Sequence, residues 1–160
     1  MKRTMLIFSC ILLAGALLVP AVDAHFLSHP DADDVRGRLD LRRVSLVRDG
    51  AELDVTVRTH ERFRDRDLLE GGFSIHFDSR GARGSDFSLR MDLNEGRPWC
   101  TLSDRQGFSR YETKGTRGRR SFACSFARAE LKPTRHIHWR VRSGSNETKD
   151  LAPDQGWFRH

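Results

Sequence analysis

The chain has 160 residues, with 28 lysines and arginines against 22 acidic residues, a net charge of +6, and 38% hydrophobic residues. That length suits a single domain with a core of its own and leaves no room for several. The basic residues are interleaved with Asp and Glu rather than gathered in one block, which argues against nucleic acid as the main partner.

Lys2 and Arg3 precede an apolar run from Met5 to Val19, which closes in Pro20-Ala21-Val22-Asp23-Ala24. A charged start, an apolar stretch and small residues before a cut describe a cleavable secretory signal peptide over 1–24, with cleavage between Ala24 and His25. Fifteen apolar residues fall short of the roughly 18–20 needed to span a bilayer, and no second stretch follows. The expected location is therefore secreted, with no membrane contact after cleavage. Removing 1–24 takes away Lys2, Arg3, Asp23 and Cys10, leaving a net charge of +5 and two cysteines. In an exported chain an even pair, Cys100 and Cys124, reads as a disulfide.

Residues 25–36 carry no periodicity and read as a mobile leader before a domain over 37–160. From Leu39 onward the dominant period is two: Leu53, Val55, Val57; Phe73, Ile75, Phe77; Phe87, Leu89, Met91; Phe122, Cys124, Phe126; Ile137, Trp139, Val141. Side chains on a strand alternate between faces, so each segment has one apolar and one polar side, as an antiparallel sheet with one wet face requires. Leu41 and Val44 are out of phase, which places a bulge at Arg42-Arg43. Arg48-Asp49-Gly50, Asn94-Glu95-Gly96 and Gln106-Gly107 are turn signals. Only Glu61 to Glu70 and one turn around Arg128 to Leu131, stopped by Pro133, look helical. The expected fold is an all-β antiparallel sandwich, with jelly-roll or immunoglobulin-like layering and one short helical segment. Strand phase turns Cys100 and Cys124 inward, Trp139 into the core, and Trp99 outward.

Three pieces carry a resemblance. They are Gly37-Arg38-Leu39-Asp40-Leu41-Arg42-Arg43-Val44-Ser45, Phe73-Ser74-Ile75-His76-Phe77-Asp78, and Asp150-Leu151-Ala152-Pro153-Asp154-Gln155-Gly156-Trp157. In this order they resemble small exported actinobacterial β-sandwich proteins akin to DOMON-like domains and family 9 carbohydrate-binding modules. The resemblance implies a sandwich fold, and a calcium-binding acidic loop after the second piece. Here that loop reads Asp78-Ser79-Arg80-Gly81-Ala82-Arg83-Gly84-Ser85-Asp86, with two arginines between its end carboxylates. Calcium takes six to eight oxygens, so the loop is short of ligands. Asp40, Asp150 and Asp154 are further oxygen donors. No cofactor is expected, and calcium is the one candidate.

Among other chemistry, His136-Ile137-His138 places two imidazoles on one strand face; with Asp78 and Asp86 these are the metal candidates, although zinc needs three or four converging ligands. No Gly-x-Ser-x-Gly elbow occurs, and thiols paired as a disulfide supply no nucleophile. Exposed aromatics stack on sugar faces and arginines bind acidic groups, so Trp99, Trp157 and Arg140 are the candidate ligand-binding residues. The sequence reading is a secreted, non-catalytic binding or envelope-associated module for cell-wall or other extracellular polysaccharide. Its alternatives are a structural or stress-related exported protein without a small ligand, and a hydrolase whose site sequence does not reveal. Oligomeric state is not legible.

Overall fold

The computed structural model of the chain describes residues 26–79, 84–132, 136–145 and 148–160. The expected signal peptide and its cleavage point lie outside the described residues, as do Pro133 and the centre of the loop between Asp78 and Asp86.

Among the described residues twelve strands follow in chain order: β1 (Phe26–Pro30), β2 (Leu41–Asp49), β3 (Glu52–Thr59), β4 (Gly71–Asp78), β5 (Phe87–Asn94), β6 (Arg97–Asp104), β7 (Ser109–Lys114), β8 (Thr116–Arg117), β9 (Ser121–Ala127), β10 (His138–Ser145), β11 (Lys149–Ala152) and β12 (Phe158–Arg159). A short helix, α1 (Asp65–Leu69), precedes β4, and a 3-10 turn, Arg128–Leu131, follows β9. The strands form two antiparallel sheets. One runs β1-β2-β3-β9-β8 and the other β11-β10-β4-β5-β6-β7, with β12 also paired to β10. The fold is therefore the expected all-β sandwich, with one short helix.

Alternation does most of the folding work. Leu53, Val55 and Val57 on β3 meet Phe126, Cys124 and Phe122 on β9 in register. In the second sheet Phe73, Ile75 and Phe77 pair with Met91, Leu89 and Phe87. All of these are buried. Across the layers, Phe73 meets Phe122 edge-on at 6.4 Å between centroids and Phe77 meets Phe126 at 5.8 Å, a geometry that aromatic quadrupoles favour. Between the sheets, Cys100 on β6 is bonded to Cys124 on β9 with 6.3 Å between their Cα atoms.

The turns follow their residues. Asn94 pairs with Arg97, leaving Glu95 and Gly96 as a two-residue loop with φ of 50° and 73°. Both residues lie in the left-handed region, as a type I′ hairpin demands. The β2–β3 register slips between Leu41 and Arg43, which is the expected bulge.

Four elements differ from the sequence reading. The helix over Glu61 to Glu70 shrinks to Asp65–Leu69, because Phe63 N–H bonds the Arg119 carbonyl and anchors that stretch to another strand. Phe26–Pro30, inside the segment read as a mobile leader, pairs with β2 from Phe26↔Val47 to Pro30↔Arg43. The tail adds β11 and β12, both alongside β10. These strands are too short to show a period.

Candidate functional site

Two charged features stand out; the first was not singled out as a site in the sequence, and the second takes in Asp40 and Asp150, two of the oxygen donors named there.

The first is a groove of about 820 Å³ at one end of the first sheet, lined by Arg38, Arg62, Arg64, Arg117, Arg119 and Arg120 with His60, Glu61 and Phe63. Residues 60–64 leave β3 and 117–120 join β8 to β9. They are held together by backbone bonds from Thr59 N–H to the Arg120 carbonyl and from Phe63 N–H to the Arg119 carbonyl. Arg117 is spoken for: it pairs with Asp65 at 2.6 Å, donates to the Phe63 carbonyl and lies over the Phe63 ring at 5.4 Å. Arg38 lies 3.7 Å from Asp67. Among the described residues, Arg62, Arg64, Arg119 and Arg120 form no ion pair, and all four are exposed. A guanidinium presents planar forked donors that fit carboxylate or phosphate two bonds at a time. Only Arg117 to Arg120 is dense in sequence; Arg38, Arg62 and Arg64 join it through the fold.

The second feature is acidic. Oxygens of Asp34, Asp40 and Asp150 lie within 4.8 Å of one another. Asp34 sits between β1 and β2, Asp40 immediately before β2, and Asp150 on β11 of the opposite sheet. Asp150 Oδ2 accepts from Leu41 N–H at 2.6 Å, and Ser143 Oγ donates to the Leu39 carbonyl, so two sheets are tied at this point. Burial, and then the charges of Asp150, Asp154, Asp34 and Asp40, push Asp31 up to about 7. Burial, with Asp33 and Asp150 close by, pushes Asp40 up to about 6 despite the favourable charge of His60. Asp150 is also raised, chiefly by burial, against the pull of Leu41 N–H. Asp40 and Asp150 are only 3% exposed.

A stability effect follows. An unfolded aspartate titrates near 3.9, so between about pH 4 and 7 the folded chain retains protons that the unfolded chain has lost, and stability drains as pH rises. Asp31→Asn removes the largest of these shifts. We expect the variant to match the wild type at about pH 4 and to be the more stable at about pH 7.5 in chelating buffer. Urea denaturation at both values checks this; a variant no more stable at the higher pH contradicts it.

No protein-family model matches this chain, and neither curated proteins nor solved structures gave a match.

The sequence candidates are dispersed. Trp99 lies half-buried on the outer face of β6, opposite Asp92 and Lys114. Trp157 lies near β10, where the Arg140 guanidinium covers its ring at 4.6 Å. Strands β4 and β5 separate β10 from β6, so the two rings form no common platform. Around Arg140, His76 and Arg142 share the outer face, and burial with these two arginines lowers the His76 pKa. His136 is exposed and His138 half-buried opposite Asp78, while Asp86 closes its loop by accepting from Ser79 N–H at 3.1 Å. Among the described residues, His136, His138, Asp78 and Asp86 belong to no group of three ligands within reach of one ion. No helix among those residues is long and apolar enough to cross a membrane.

Proposed function

We propose that this chain is an exported, non-catalytic sandwich module that binds an anionic glycopolymer of the cell envelope. The observation that carries the reading is the groove in which six arginines face a single glutamate. Four of those arginines are without a carboxylate partner among the described residues, so their forked donors are open to phosphate or carboxylate groups along a chain. The N-terminal charge-and-apolar pattern and the Cys100–Cys124 bridge support export, because disulfides persist in oxidising compartments. The kinship with exported carbohydrate-binding sandwiches belongs to the same proposal. Trp157 under Arg140 is a smaller second contact of mixed stacking and charge.

Binding is tested with the mature protein and three probes: poly(glycerol phosphate), polygalacturonate and a neutral glucan. Retention on one or both polyanions at low salt, and none on the glucan, is the expected result. Exposed charges weaken with salt, because the screening length falls from about 30 Å at 0.01 M to about 3 Å at 1 M. The double variant Arg119→Glu/Arg120→Glu is expected to lose roughly tenfold or more in affinity, since like charges then face the polymer. Failure to retain either polyanion at low salt overturns the reading. So does loss of binding in Trp99→Ala with the arginine variant unaffected, which would move the contact to the outer face of the second sheet.

A further inference from the structure

We propose that Asp34, Asp40 and Asp150 form a binding site for one calcium ion that clamps the two sheets together. This site is independent of the polymer groove and of the loop between Asp78 and Asp86.

Three observations converge on it. Hard divalent ions take oxygen ligands at about 2.3–2.6 Å in the case of calcium. Three oxygens bound to one such ion lie at most about 5 Å apart, and these three lie within 4.8 Å of one another. The second observation is Asp40 itself. Its side chain is 97% buried, and among the described residues its Oδ1 has no hydrogen-bond donor; the carboxylates of Asp33 and Asp150 and the imidazole of His60 are the charged groups that act on it. A buried carboxylate oxygen without a donor is costly, and a cation is the partner that meets the need of all three groups at once. Third, the chain carries 28 basic residues, yet among the described residues none forms an ion pair with Asp31, Asp34, Asp40 or Asp150. Arg140, Arg142 and Lys149 line a cavity together with Asp34 and Asp150, yet among the described residues they form no ion pair with them.

The chemistry selects the ion. All three donors are carboxylates, which suit calcium or magnesium rather than zinc with its preference for imidazole and thiolate. Asp34 sits on an irregular segment and is exposed, which leaves room for water ligands. Calcium tolerates such uneven, flexible coordination, whereas magnesium demands near-ideal octahedral geometry. Bound there, the ion fixes the 31–40 segment against β11 and completes the tie begun by Leu41 N–H on Asp150 and by Ser143 on Leu39.

The test is calorimetric titration of calcium chloride into the chelator-stripped mature protein, with thermal unfolding in parallel. We expect one site per chain, with a dissociation constant on the order of 0.1–1 mM as in other extracellular modules. At ten times that constant the melting temperature rises by roughly 4 °C. Asp40→Asn keeps the shape and removes the charge, so it should fold, melt no lower than the stripped wild type, and lose at least about tenfold in calcium affinity. Asp78→Asn should retain the wild-type response. The proposal is overturned if the stripped wild type shows neither heat nor thermal shift up to about 10 mM calcium. It is equally overturned if Asp40→Asn responds like the wild type, or if the response disappears with Asp78→Asn.

Discussion

Replacing Cys100 and Cys124 together with alanine is expected to lower the unfolding free energy by about 3.5 kcal/mol. The two positions are 24 apart in sequence, and a cross-link closing a loop of that length removes this much chain entropy from the unfolded state in the simplest treatment. The sulfurs also have a packing role. A Cβ placed on Gly115 would meet Cys100 Sγ at 3.0 Å and the Phe122 ring at 2.5 Å, so the bridge sits in closely filled space. Because β6 and β9 lie in opposite sheets, reduction frees the layers from each other rather than one strand from its neighbour. Urea denaturation of the double variant against the oxidised wild type reads the difference; a loss under about 1 kcal/mol would show that the sheets hold without the staple.

Trp139→Ala is expected to cost about 3–5 kcal/mol, the range for truncating a large buried side chain. Its side chain is fully buried, and its ring lies 4.8 Å from Phe158 and 6.0 Å from His29, with His29 and Phe158 stacked at 3.9 Å. One indole on β10 therefore supports β12 in its own sheet and β1 in the other. Amide exchange should quicken in 26–30 and 158–159 more than in the centre of β3 and β9. Since among the described residues the indole Nε1 has no hydrogen-bond partner, Trp139→Phe forfeits volume but no such bond and should cost less than half as much. Equal losses in both variants would contradict this account of the site.

These effects show where sequence reasoning succeeds. Phe73, Ile75 and Phe77 announce their strand because a sheet face repeats every two residues, and the same parity put Cys100, Cys124 and Trp139 inside and Trp99 outside. Parity says nothing of strands only two to five residues long, which is why β1, β11 and β12 were not visible. It is equally silent about convergence. Asp40 and Asp150 are 110 positions apart, and each alone looks like a turn-capping aspartate. Arg62 and Arg119 come together only because β3 and β9 are neighbours. The candidates picked by residue type, Trp99 with Trp157 and His136 with His138, lacked that long-range information, and the fold does not gather them into one site.

The outer strands hold a further consequence. β1 ends in Pro30, β8 is two residues long, β7 reads Ser-Arg-Tyr-Glu-Thr-Lys, and β11 runs into Pro153. A second copy attempting to extend either ladder would meet a missing N–H, a run too short to grip, or charges in need of matching. Such borders let many copies crowd together without fusing into a continuous sheet, so a high local concentration need not end in aggregation.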